Sequence, residues 1–144
     1  MIFQLTQDEI ESVLRLNTIG RLGFSNGNKT YIVPVNYAYD GKFIIAHSEQ
    51  GMKIDVMQQY PQVCFEVDEI KNSISWRSVI VWGEYQELHE KRDRYYAIKL
   101  FSERLIHAKI KGSKRQEPAV GSSLVSAVIY RIMIAEKSGR FENE

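Results

Sequence analysis

Between residues 31 and 39 the chain alternates with a period of two. Tyr31, Val33, Val35, Tyr37 and Tyr39 fall on one side, and Ile32, Pro34, Asn36 and Ala38 on the other, the signature of a strand. Asp40-Gly41 follows, a strong hairpin signal because the favoured two-residue turn needs positive φ at its centre. Residues 42–47 return as a second strand, and the chain then turns through a polar elbow into a helix, for which Ser48 is the predicted N-cap. That helix is predicted to bury Met52, Val56 and Tyr60, and Pro61 stops it.

The rest of the chain supplies partners for this stretch. Thr6-Gln7-Asp8-Glu9 reads as a capping box opening a short helix with Ile10, Val13 and Leu14 on its apolar face, ending near Asn17. Residues 18–25 read as a strand thinned by Gly20 and Gly23, and Asn26-Gly27 is a second hairpin signal. A strand over 62–68 and a polar turn over 70–73 precede the longest strand pattern, 74–88, with Gly83 marking a bulge. Its faces are Ile74, Trp76, Ser78, Ile80 and Trp82 on one side and Arg77, Val79, Val81 and Tyr85 on the other. Both are largely apolar, so this strand is expected to be central and covered on both sides. Helical spacing returns over 90–106, with Tyr95, Ile98, Phe101, Leu105 and Ile106 on one stripe. Residues 107–123 are polar and rich in Lys, Gly and Ser, a predicted mobile loop. A last strand is predicted over 124–135, with the tail 136–144 crossing the surface. About six strands joined mostly by hairpins, with two or three helices, define a mainly β fold: an antiparallel barrel with helices packed outside.

Composition narrows the function classes. A chain of 144 residues is read as a single domain, 1–144. Its net charge of +1 disfavours nucleic-acid and membrane partners. The single cysteine, Cys64, rules out an internal disulfide framework and a multi-cysteine metal site. No apolar run approaches membrane-spanning length, and the first residues are acidic and polar where a signal peptide is basic and then apolar. The expected location is cytoplasmic. Neither a G-x-G-x-x-G, a Walker A, an H-E-x-x-H nor a G-x-S-x-G pattern is present, and His47, His89 and His107 are widely spaced. The basic cluster Lys109, Lys111, Lys114 and Arg115 reads as a solvated loop in a chain this close to neutral, with an anion-covering flap as the alternative.

The chemistry concentrates where strand hands over to helix: His47, Ser48, Gly51 and Lys53 fall within seven positions. Such a junction gathers hydroxyl, backbone N–H and ammonium donors around one anion, which makes a phosphate-bearing ligand the leading hypothesis. Each residue also has a plainer reading. Lys53 serves equally as a solvated helix residue, Ser48 as a cap, His47 as a strand-end histidine, and Trp76 and Trp82 as core or interface. Asn36 is the odd one, since an amide in a strand needs a partner, which favours an edge or a ligand contact.

Gly20-Arg21-Leu22-Gly23, Pro34-Val35-Asn36-Tyr37, His47-Ser48 followed by Gly51 and Lys53, Val63-Cys64-Phe65, and Arg77-Ser78-Val79 with Gly83 occur in this order. Together they resemble the pyridoxamine-phosphate-oxidase-like FMN-binding split barrels, nearest the nitroimidazole-resistance branch. The resemblance covers about 5–105 and resumes over 128–140, where Ser138-Gly139-Arg140 stands for that branch's closing Thr-Gly-Lys. It implies a six-stranded Greek-key split barrel and a homodimer with FMN in the grooves between protomers. It further implies that Pro34, Val35, Asn36 and Tyr37 run along the isoalloxazine. His47, Ser48 and Lys53 then face the ribityl phosphate, and Ser78 and Val79 meet the ligand from the long strand. An FMN-dependent oxidoreductase follows, passing electrons from a reduced nicotinamide or other small-molecule donor to a small acceptor such as a nitro-aromatic, with His47 the one catalytic candidate and no metal. A flavin-binding protein without turnover, and the same barrel holding haem or a deazaflavin, are the alternatives.

Overall fold

The computed structural model describes the backbone of residues 1–110 and 126–143 and the side chains of residues 1–104 and 126–143. The elements in chain order are β1 (Ile2–Gln4), α1 (Gln7–Leu16), β2 (Ile19–Ser25), β3 (Thr30–Asn36), β4 (Ala38–Tyr39) and β5 (Phe43–Ser48). They continue with α2 (Met52–Gln59), β6 (Gln62–Asn72), β7 (Ser75–Glu87), α3 (Lys91–Ile110) and β8 (Val128–Glu142). The strands form one antiparallel sheet in the order β3-β2-β6-β7-β8-β5-β4, with β1 added along β8. Its two end strands, β3 and β4, are separated in sequence by Tyr37 alone. The sheet therefore curls until its edges meet at one residue, giving a split barrel.

Two apolar clusters hold it together. Inside the curl lie Leu22, Phe24, Val35, Phe65, Val67, Val79, Val81, Tyr130 and Ile132. Helix α1 fills the open mouth with Ile10, Val13 and Leu14, so it is part of the core and not an outer layer. Its start is the expected capping box: Thr6 Oγ1 accepts from the Glu9 amide, and Glu9 accepts from the Thr6 amide. Helix α3 lies on the outer face of β4, β5 and β8, packing Ala97 and Phe101 against Ala38, Ile45, Leu88 and Ile129.

Several boundaries differ from the sequence reading, each for a physical reason. The described residues form eight strands, because the strand expected over 31–39 breaks at Tyr37 into β3 and β4, and the N-terminal residues add β1. The turn expected over 70–73 is mostly strand, since β6 runs to Asn72 and Asn72 Oδ1 accepts from the Ile74 amide in the hairpin. The expected surface tail is strand as well: β8 continues to Glu142, paired with β7 on one side and β1 on the other. Pairing on both sides supplies hydrogen bonds that a polar sequence does not announce. In α2 the buried residues are Ile54 and Met57, while Met52 is 54% exposed and Tyr60 faces solvent. A short helix can present either of two overlapping stripes, and the sheet selects one. In α3, Ala97 and Phe101 face inward and Tyr95 outward. The predictions for the Leu105 and Ile106 side chains lie outside the described residues, as do 111–123 of the predicted loop; 107–110 are helical.

Strand β7 is central, but only one of its faces is covered. Val79, Val81 and Tyr85 are buried, whereas Ile80 is 37% and Trp82 40% exposed. The register against β8 shifts between Trp82 and Gly83, so the bulge expected at Gly83 is present, with Ala135 of β8 as the extra residue. A Cβ on Gly83 would stand 2.3 Å from the Met133 carbonyl oxygen, which is why no side chain fits there.

Candidate functional site

The residues singled out in the sequence fall into two groups. The first gathers at the split in the barrel. Strand β3 is an edge strand, paired with β2 alone. Tyr37 donates its amide to the Thr18 carbonyl at 2.9 Å. By antiparallel alternation the backbone of Asn36 and the carbonyl of Pro34 face the open edge. Pro34 suits this position, since an edge strand does not miss its N–H. The Asn36 side chain is exposed, consistent with its reading as an edge residue. Val35 and Tyr37 point inward and are buried, and the Tyr37 hydroxyl donates to the Leu14 carbonyl at 2.7 Å. Both can reach a ligand only through backbone atoms.

Across the split stands the β5–α2 junction. Ala38 pairs with Ile45, the ladder stops there, and β3 and β5 come into contact across the split. The His47 ring meets Phe101 of α3 edge-on, with centroids 5.1 Å apart. Burial, and then the Lys53 charge, hold His47 below its ordinary pKa, so the two side chains are close enough to feel one another. Burial also lowers the pKa of Lys53, which has no carboxylate partner among the described residues.

Ser48 does not cap α2, contrary to the expectation. It ends β5 and donates to the Glu49 carbonyl at 2.9 Å, and the N-cap is Gly51, in extended geometry with no side-chain cap. The first amides of α2 therefore lack a capping oxygen, and no atom lies within 4 Å of where a Gly51 Cβ would be. A half-buried ammonium and the histidine that feels its charge stand at a helix start without a side-chain cap, whose first turn also carries Asp55; such donors can accept an anion.

The second group, Ser78 and Val79, is remote from the first. Ser78 pairs with Arg140 on β8, whereas His47 pairs with Ile129 at the other end of the same strand. That separation is about 35 Å of strand path at roughly 3.3 Å per residue. Val79 is fully buried and offers backbone only. Ser78 lies on the outer face and donates to Glu66 Oε2 at 2.8 Å. Arg21 approaches Asp68 at 3.1 Å and Glu66 at 3.8 Å. Burial chiefly, and then Asp68, raise the Glu66 pKa against the opposing effects of Ser78 and Arg21. Glu66 and Asp68 were not among the predicted site residues. The available signal was their alternation with Val63, Phe65 and Val67, which sends them outward from a core strand.

A split antiparallel barrel with one helix in its mouth and one on its outer face defines the class: a small antiparallel β-barrel protein. The chain belongs to the pyridoxamine 5'-phosphate oxidase family, whose sequence model matches residues 6–141. A FAD-binding protein from Mesorhizobium loti is 31% identical, with a TM-score of 0.78 over 99% of both chains. A candidate 5-nitroimidazole antibiotic resistance protein from Bacteroides thetaiotaomicron is 16% identical and shares the fold, with a TM-score of 0.76 over 98% of this chain and 87% of the other. An uncharacterised protein of Rhizobium meliloti is 34% identical over 84 residues, which span 58% of this chain and 56% of that relative.

Proposed function

We propose that this protein binds FMN at the seam between two copies of itself and passes electrons through it from a small-molecule donor to a small acceptor. The observation that carries the reading is Lys53: a half-buried ammonium without a carboxylate partner among the described residues, in the first turn of α2, which starts without a side-chain cap. One ammonium and one helix end suit a single terminal phosphate, which is why FMN is preferred to a dinucleotide. The FAD-binding description of the Mesorhizobium loti relative supports a flavin in general. Bound flavin would supply the electron chemistry. The chain's part is to hold it: Lys53 and the α2 amides at the phosphate, and the open backbone edge of Pro34 and Asn36 along the ring. Among the described residues no helix is long and apolar enough to cross a membrane, and we place the protein in the cytoplasm.

The second copy is part of the proposal because Ser78 and Val79 pair near one end of β8 and His47 near the other, so that two copies side by side can bring both sets to one ligand. Ser78 and Val79 of one protomer then serve the ligand anchored by Lys53 of the other. The absorption spectrum of the purified protein tests the cofactor, and the expected result is flavin bands with FMN as the released chromophore. The combined change Lys53→Ala and Ser48→Ala is expected to weaken FMN binding roughly ten- to a hundredfold, the range of a charge-assisted hydrogen bond. Unchanged occupancy would remove the phosphate from the β5–α2 junction, and a Soret band would replace flavin with haem. Steady-state oxidation of reduced nicotinamide, with and without nitro-aromatic acceptors, separates an oxidoreductase from a carrier or sensor.

A further inference from the structure

Beside Trp76, on the outer face of the β6–β7 hairpin, lies a cavity of about 340 Å³ whose walls include Glu66, Asp68, Arg77 and Ser78. Its charges are already committed. Arg77 donates to Glu69 at 2.5 and 3.1 Å, and Arg21 sits on Asp68. What faces the space is a pair of carboxyl groups, the Ser78 hydroxyl beside that of Ser73, the Arg77 guanidinium held by Glu69, and an aromatic wall.

The Ser78 hydroxyl is the informative group. Serine has one proton to donate, and Ser78 gives it to Glu66 Oε2. Only its lone pairs remain for anything entering the cavity. We propose that Glu66 fixes Ser78 as a hydrogen-bond acceptor, so that this cavity takes an uncharged, hydrogen-donating part of the ligand and turns its phosphate away. This rests on the flavin reading and deepens it. A flavin carries a ring N–H and ribityl hydroxyls that suit such an acceptor, and a planar ring that suits Trp76. One guanidinium, Arg21, serves both Glu66 and Asp68, and the negative charge left over disfavours the flavin's phosphate. The two ends of the site therefore orient the ligand, Lys53 drawing the phosphate and the Glu66–Ser78 pair receiving the opposite end. Glu66 acts through Ser78 and is a positioning residue.

The test compares FMN, riboflavin and 3-methylriboflavin by fluorescence titration of the full-length protein freed of flavin. Ser78→Ala is expected to weaken FMN and riboflavin by the same factor, about three- to tenfold for one neutral hydrogen bond. Glu66→Gln, whose amide can donate to Ser78 and release the hydroxyl proton, is expected to do likewise. Adding it to Ser78→Ala should bring no further loss, a non-additivity that general destabilisation does not produce. Lys53→Ala should weaken FMN alone. Ser78→Thr, which keeps the hydroxyl on a strand-favouring residue, should bind like wild type and covers the case in which the alanine variant fails to fold. A Ser78→Ala defect confined to FMN makes Ser78 a phosphate donor and overturns the proposal. So do unchanged affinities in Ser78→Ala and Glu66→Gln beside an intact Lys53→Ala defect, with the flavin reading left standing. Wild-type protein that binds neither flavin overturns both.

Discussion

Tyr130 is fully buried and its hydroxyl has no hydrogen-bond partner, the one such side-chain atom among the described residues. Burial raises its pKa, so the phenol stays protonated while its donor goes unused. An unsatisfied buried hydroxyl costs free energy that its removal recovers. Tyr130→Phe is therefore expected to be neutral or stabilising by up to about 1 kcal/mol in urea denaturation. Tyr37→Phe breaks the bond to the Leu14 carbonyl and should cost about 1–2 kcal/mol. If the two changes cost the same, Tyr130 has a partner after all. His47 offers a second check at this scale. Burial and Lys53 disfavour its protonated form, and an anion placed beside it favours that form. Its titration, followed by NMR, should begin below the ordinary histidine value and move upward with FMN but not with riboflavin. A midpoint that FMN leaves in place would put the phosphate elsewhere.

At the scale of elements, the β7–β8 pair shows how one small residue sets a whole face. Tyr85 and Val81 both point inward on β7 across the register shift. On β8 the extra residue, Ala135, changes the parity, so that Ile132 and Gly139 both face the core. Gly83 permits this by letting the Met133 carbonyl approach. Gly83→Ala must push that backbone away and is expected to destabilise by about 1–3 kcal/mol or more, read as a lowered Tm. Unaltered stability would mean that the two strands have room to part. Helix α2 makes the complementary point. The motif around Ser48 and Gly51 was visible, but the cap could not be assigned from residue type. Serine is the better capping residue in isolation. Here β5 keeps Ser48 as its last paired residue, opposite Val128, and the cap passes to Gly51.

For the molecule as a whole, the telling feature is the uncovered outer face of β3, β2, β6 and β7. Ile32 is 72% exposed, Ile19 44%, Trp82 40% and Ile80 37%, all on strands whose other face is core. Contiguous exposed apolar surface of this kind marks an interaction site. We propose that it meets the second copy of the proposed dimer. Trp82→Lys is expected to shift the protein from dimer to monomer by light scattering and to lower FMN affinity, although Trp82 belongs to neither proposed ligand-binding group. A variant that remains dimeric with full affinity would move the interface to another face.

The sequence by itself determined the three helices, the six main strand segments and the hairpin signals between them. Period-two alternation over 31–36, the capping box at Thr6, and Asp40-Gly41 are local rules that the fold keeps. It also brought out the cluster of His47, Ser48, Gly51 and Lys53, because those residues are near neighbours along the chain. Only the tertiary structure decided what depends on residues far apart in sequence. It chose which stripe of α2 is buried, continued β8 through a polar stretch by pairing it on both sides, and drew α1 into the barrel. It also closed the sheet at Tyr37 and set Glu66 against Ser78 while carrying both far from His47. The division has one physical cause: propensity and turn chemistry act over a few residues, whereas burial, register and the pairing of charges are set by neighbours that the fold brings together.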